Sequence, residues 1–229
     1  MTSFKKEVLE ANRWMVNKGL VSMTWGNLSY CDRNTNRVYI KPSGVDLKLL
    51  NEKDISCVDL NGVLISGKSP SVDLPTHLEI YKSFTGICSI AHTHSKYATI
   101  FAQSQKSIPC LGTTHADYFF GEIPCIAYPT AEEVVKNYEK YTGAAIIKFY
   151  KMQDIGYNDI PACLLAGHGP FVWGNTVDKA IEHTYVLELV AEMAYKTLLL
   201  NPESTLEKFI IDKHFLRKHG DKGYYGQRK

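Results

Sequence analysis

Two histidines one residue apart, His92 and His94, close the apolar run that begins at Ile87, in Ala91-His92-Thr93-His94-Ser95. On a strand, residues two apart face the same side with Cα atoms about 6.6 Å apart, so two imidazoles can reach one ion. Protonated, the pair would repel, and buried, each ring would lose hydration. A divalent cation relieves both problems by taking the neutral lone pairs. His168 ends a second apolar run, Ala162 to Ala166, and Gly167 and Gly169 free the backbone to turn tightly around it. Three histidines at strand ends of one sheet predict a His₃ site with an open position, as in catalytic rather than structural zinc. Asp73 is a candidate fourth ligand or a hydrogen-bond partner of one. Asp73-Leu74-Pro75-Thr76 also reads as a helix entry, and both roles can hold at once.

Two loops could hold an anion. Trp25-Gly26-Asn27-Leu28-Ser29 and Lys41-Pro42-Ser43-Gly44 combine glycine, small polar groups and one lysine, so their backbone N–H groups could form a nest with Lys41 adding charge. Turn formation alone would account for the same residues. Neither loop matches a P-loop, no G-x-G-x-x-G is present, and Ser69-Pro70-Ser71 could add a hydroxyl. A third polar loop, Gly112 to Tyr118, brings hydroxyl, imidazole and carboxylate groups together and matters only if it lies near the metal. Gly223-Tyr224-Tyr225-Gly226 places two aromatics where tails usually fray; either they pack on the body or a tyrosine hydroxyl reaches a site, on a neighbouring subunit for instance. Of the other histidines, His77 and His183 lie in helical runs and read as structural. His115, His214 and His219 divide between substrate contact and solvated surface.

The elements that must position these groups alternate between helical and extended spacing. Phe4, Val8, Ala11 and Met15 predict a helix over 4–18 with Gly19 as its stop. Extended runs follow at 38–40 and 55–60, then at 63–65 after Asn61-Gly62, a hairpin signal. Helices are expected at 76–84, 97–103, 131–141, 176–200 and 203–218, and strands at 87–94, 123–127, 161–166 and 171–173. The 229 residues contain no repeat and no Ser/Pro-rich linker, so one domain is expected. Apolar residues at 45% exclude an intrinsically disordered chain. A net charge of +2 gives no reason to expect nucleic acid. Six cysteines, none at C-x-x-C spacing and several in apolar runs, read as reduced thiols of a cytoplasmic protein. The apolar stretch from Tyr185 to Leu200 is broken by Glu188, Glu192 and Lys196, so no membrane span is expected.

Taken together, these motifs make the chain resemble the class II aldolase/epimerase superfamily and, within it, the L-ribulose-5-phosphate 4-epimerases. The likeness runs through Thr24 to Asn27, Ile40 to Val45, Asp73 to His77, His92 to Ser95, Gly112 to Tyr118, Gly167 to Gly174, Asp212 to Gly220 and Tyr224 to Gln227. H-x-H belongs to the whole superfamily; the Gly-Thr-Thr-His-Ala-Asp-Tyr loop and Tyr-Tyr-Gly-Gln end are closer to the epimerases. The resemblance implies a three-layer α/β/α domain with a central, mostly antiparallel sheet, assembled as a homotetramer with active sites between subunits. It implies Zn2+, with Mn2+ as an alternative, on His92, His94 and His168 with Asp73 at the metal. Phosphate of a sugar phosphate would fall to Gly26, Asn27, Ser43, Gly44, Ser71 and Val72, with Lys41 nearby. Asp117 and Tyr225 would form the acid/base pair from a neighbouring chain, and Thr113, Glu139 and His214 would support the substrate. Val72 departs from the family, which commonly has a second serine there, so only its backbone N–H can serve a phosphate. The implied reaction is C4 epimerisation of L-ribulose 5-phosphate to D-xylulose 5-phosphate.

Two rivals share the fold. A class II aldolase that cleaves a deoxyketose 1-phosphate carries, within the superfamily, Glu where this chain has Asp73. A non-catalytic assembly module would have lost metal ligands, yet all three histidines are present. A zinc hydrolase is disfavoured by the lack of H-E-x-x-H.

Overall fold

The computed structural model describes residues 3–220, 223, 224 and 226. The chain opens with α1 (Phe4–Asn17), whose first turn is capped by the Ser3 hydroxyl accepting from the Lys6 N–H, and Gly19 turns the chain at φ +71°. Then come β1 (Asn27–Asp32), β2 (Arg37–Ile40), a 3₁₀ turn at Glu52–Asp54, β3 (Ser56–Asp59), β4 (Leu64–Ser66) and α2 (Leu74–Ser83). The middle runs through β5 (Ser89–His92), α3 (Lys96–Gln103), α4 (Thr113–Ala116), β6 (Cys125–Ile126) and α5 (Ala131–Met152). It ends with β7 (Ala162–Leu165), β8 (Pro170–Gly174), α6 (Val177–Leu200) and α7 (Lys208–His219).

Among the described residues, the eight strands form one sheet in the order β4-β3-β2-β1-β5-β8-β7-β6, every pair antiparallel except β6 with β7. Period-two alternation assigns each strand residue to a layer. Ile90, Phe171, Trp173, Cys163 and Leu165 pack with Leu78, Tyr81, Ile146 and Tyr150 of α2 and α5 on one face. Ala162, Leu164 and Val172 meet α3 and α6 on the other, while Leu28 and Ala91 pack with α1. The result is a mixed α/β fold of three layers, with helices covering both faces of a mostly antiparallel sheet.

Several boundaries depart from sequence expectation. The glycine and polar residues from Trp25 to Ser29 have the composition of a loop, but from Asn27 onward they form an extended strand, β1, that pairs with both β2 and β5. The Gly112–Tyr118 loop contains the short helix α4. α7 begins at Lys208 rather than at Glu203, and α5 continues past Tyr141 to Met152 and is broken nearer its start, at Asn137. Residues 87–94 hold a shorter strand than expected: β5 stops at His92, so His94 lies in the turn into α3.

Candidate metal and anion site

His92 is the last residue of β5, next to the start of β8, and only 1% exposed. Its ring stacks on Phe171 with centroids 4.3 Å apart. Its Nδ1 lies 2.9 Å from the Pro170 carbonyl oxygen. A carbonyl only accepts, so the ring proton sits on Nδ1 and the Nε2 lone pair is free. That Nε2 is 3.2 Å from Nε2 of His94, brought back by the turn after β5. His168 comes from the β7–β8 turn, where Gly167 adopts φ +67°. Its ring centroid lies 4.7 Å from that of His92 and 5.0 Å from that of His94. The three rings offer nitrogen atoms all within 4.8 Å of one another, the one such group among the described residues. Burial pulls all three below the ordinary imidazole range, most strongly at His92. The site therefore presents neutral lone pairs facing one point, a donor set suited to Zn2+ or Mn2+.

Asp73 occupies the N-cap position of α2, yet its side chain makes no capping hydrogen bond. Its carboxylate instead accepts from Asn27 Nδ2 at 2.7 Å and from the Ser71 hydroxyl at 3.4 Å. The group is not one of the donors within the 4.8 Å cluster, although it lines the same cavity. Burial pushes its pKa up, but the neighbouring His92 and His77 and the Asn27 hydrogen bond more than offset this, and the net direction is down.

A cavity of about 320 Å³ joins these histidines to the two glycine-containing segments around Gly26 and Gly44: Thr24, Trp25, Gly26, Asn27, Lys41, Ser43, Gly44, Ser71 and Val72 line its other walls. Gly26 is needed there in the strict sense. It sits at φ +85°, and a Cβ on it would lie 2.6 Å from the His92 carbonyl oxygen. Lys41 is 2% exposed, with its ammonium near the carbonyl oxygens of Thr24 and Pro42 at 3.3 and 3.5 Å. Burial lowers its pKa, opposed by Asp73 and Asp46. A buried ammonium beside neutral carbonyls is poised to receive an anion.

Asp117, Thr113, Glu139 and His214 do not line this cavity. Asp117 is the C-cap of α4 and borders a second cavity, about 610 Å³, with Trp173 and Gly174. The register Ser89↔Gly174 and His92↔Phe171 puts that cavity and the histidines toward opposite ends of β5 and β8, roughly 10 Å of strand apart. Arg217 grips the Asp117 carboxylate with two hydrogen bonds, Nε to Oδ1 at 3.0 Å and Nη2 to Oδ2 at 2.7 Å, while His214 Nδ1 lies 3.1 Å from Oδ1. Burial pushes the Asp117 pKa up, but these partners and Lys218 hold it below the usual carboxylate value. Glu139 offers its backbone oxygen to the Thr76 hydroxyl at 2.6 Å. Tyr225 lies outside the described residues.

His77 and His183 are structural as expected, bonded to Ser29 and to the Trp173 carbonyl oxygen. His115 corrects the solvated-surface reading: it is 3% exposed, its Nε2 lies 2.8 Å from the Gly121 carbonyl oxygen, and burial pushes it down to about 4. Sequence reasoning missed Tyr138, whose hydroxyl lies 3.1 Å from His168 Nδ1, and Arg217. Each meets its partner across 30 or 100 residues, so no local pattern marks either.

Residues 6–195 match the class II aldolase and adducin N-terminal domain. The chain belongs to that family. Among solved structures, it is similar to an L-fuculose 1-phosphate aldolase at 25% identity, covering 93% of this chain and 96% of that one, with a TM-score of 0.78. Two further structures share the fold. YgbL from Klebsiella pneumoniae is 24% identical over 92% of this chain and 96% of its own, with a TM-score of 0.72. L-fuculose-1-phosphate aldolase from Thermus thermophilus is 23% identical over 89% and 98%, with a TM-score of 0.67. Membership of this family indicates an enzyme of metal-dependent aldolase or epimerase type. Among the described residues, no helix is long and apolar enough to cross a membrane.

Proposed function

We propose that this chain is a metal-dependent L-ribulose-5-phosphate 4-epimerase, interconverting its substrate with D-xylulose 5-phosphate. One observation carries the reading: a histidine cluster able to hold a cation and a buried lysine hydrogen-bonded to carbonyl oxygens share one small cavity. A sugar phosphate has both chemistries, vicinal oxygens for a metal and an anionic end for Lys41, Ser43, Gly44 and Ser71.

The C4 hydrogen of a 2-ketopentose is not adjacent to the carbonyl, so its direct removal gives no stabilised carbanion. Breaking C3–C4 does: the C4 hydroxyl gives up its proton, the electron pair stays on the three-carbon fragment, and glycolaldehyde phosphate forms. His92, His94 and His168, with Asp73 beside them in the same cavity, would hold a divalent ion, whose Lewis acidity would accommodate this charge. Asn27 and Ser71 orient Asp73 at the same time. The phosphate loops retain the aldehyde while it turns, and C3–C4 re-forms on the opposite face with proton return to the C4 oxygen. Inversion needs proton-transfer groups on both faces, the roles assigned to Asp117 and Tyr225, with Thr113, Glu139 and His214 in support. Arg217 and His214 hold Asp117 as a carboxylate and fix its orientation. Because Asp117 stands at the far end of the sheet from the histidines of its own chain, a second copy would supply it, in keeping with a homotetramer.

The likeness to L-fuculose 1-phosphate aldolase favours a second reading, an aldolase that releases its fragments. One experiment separates them. Purified protein is incubated with L-ribulose 5-phosphate and, separately, with a deoxyketose 1-phosphate, each with and without a chelator. Chelator-sensitive formation of D-xylulose 5-phosphate is expected. Free aldehyde without the epimer would replace the epimerase by the aldolase, and no product from either substrate class would sink both.

A further inference from the structure

The carbonyl beside His92 can only accept a hydrogen bond, so it fixes that ring's tautomer. The partner of His168 is different in kind. A tyrosine hydroxyl both donates and accepts, and if it donated to Nδ1 the ring proton would move to Nε2, the nitrogen needed at the metal. The phenol must therefore accept from Nδ1–H and send its own proton elsewhere.

The chain provides that outlet and fixes the phenol in place. α5 breaks at Asn137 (φ −173°, ψ 88°), and the Asn137 side-chain oxygen accepts from the Lys140 N–H at 3.0 Å, capping a fresh helical start with Tyr138 in its first turn. The Thr76 hydroxyl donates to the Glu139 carbonyl oxygen at 2.6 Å, pinning this turn to α2, the helix that begins at Asp73. Gly143 keeps the two helices close, since a Cβ there would lie 2.9 Å from the Thr76 carbonyl oxygen. Thr142 lies four residues beyond Tyr138, on the same helix face. Its Oγ1 is buried and makes no hydrogen bond, so it is an unused acceptor beside the phenol.

We propose that Tyr138 is the positioning residue of the metal centre: its oxygen accepts the Nδ1 proton of His168 and its own proton goes to Thr142, holding His168 with Nε2 open. The assignment rests on reading the three histidines as the metal site, and it makes α5 part of that site.

The test is zinc titration of full-length, metal-stripped protein against a chromophoric chelator, for wild type, Tyr138→Phe and Thr142→Val, with apo melting curves alongside. Wild type takes up one zinc per chain. Tyr138→Phe keeps the apo melting temperature and binds zinc about 10–100-fold more weakly, the usual cost of losing a ligand's supporting hydrogen bond. Thr142→Val weakens binding in the same direction but less, because the phenol remains and loses only its acceptor. Cobalt(II) in Tyr138→Phe shows an altered visible spectrum, which a merely structural role would not produce. Zinc affinity within twofold of wild type in Tyr138→Phe overturns the assignment and leaves the metal site standing. Wild type that takes up no zinc overturns both.

Discussion

Gly26→Ala isolates one contact between the turn before β1 and the histidine cluster. At φ +85° any L-residue is strained, by about 1–2 kcal/mol. The new methyl would also lie 2.6 Å from the His92 carbonyl oxygen, 3.2 Å from Val21 Cγ2 and 3.3 Å from Thr93 Cα. Backbone atoms cannot rotate away as a side-chain tip can, and forcing such overlap typically adds about 1–3 kcal/mol. The expected loss is thus about 2–5 kcal/mol. Gly19→Ala is the matched control, because Gly19 has φ +71° and nothing within 4 Å of its virtual Cβ. It should lose only the conformational part. For a chain of this size each kcal/mol moves the melting temperature by about 2–4 °C, so Gly26→Ala should melt roughly 2–12 °C below Gly19→Ala. Relief of the clash moves His92, so zinc affinity should fall in Gly26→Ala and stay at wild type in Gly19→Ala. Circular-dichroism melts and zinc titrations of the three proteins decide it. Equal melting of the two variants, with undiminished zinc binding, would refute the reasoning.

Asp117→Asn should destabilise at pH 7: the folded carboxyl titrates below its ordinary value of 3.8, so its contribution is fully present above that value and is lost as pH falls through the folded pKa. Urea midpoints of variant and wild type should therefore converge below about pH 4. Val72→Ser places a hydroxyl in the wall of the cavity that holds the histidines, and if the proposed phosphate site is right, a hydrogen bond worth about 1 kcal/mol would lower KM for a sugar phosphate roughly fivefold with kcat little changed. An unchanged KM would remove that side chain from the phosphate site. Tyr225→Phe should retain its zinc and lose roughly 10²–10⁴-fold in turnover if the phenol transfers a proton; wild-type rates would take the tail out of the mechanism.

The sequence by itself determined the chemical inventory and most of the elements. Amphipathic spacing marks α1 and α6 because a helix between sheet and solvent must bury one stripe. His92, His94, His168, Lys41 and the glycines around them were legible because their neighbours are strand ends and tight turns, which leave local signatures. β1 was not, since Gly26, Asn27 and Ser29 read as turn residues until β2 and β5 pair with them on either side. The break in α5 escaped for a similar reason: Asn137 lies in a run of ordinary helix formers, and it matters only because α2 holds the second segment in place.

Tertiary structure alone decided who meets whom. Tyr138 and His168 are brought together by the packing of α5 over the β7–β8 turn, and Asp117 is handed to Arg217 by α7. It also decided that the histidines and Asp117 lie toward opposite ends of the same strands. The physical reason is that hydrophobic periodicity specifies which face of an element is buried, whereas the pairing of distant polar groups is set by sheet order and helix packing, which leave no trace in the spacing of neighbouring residues.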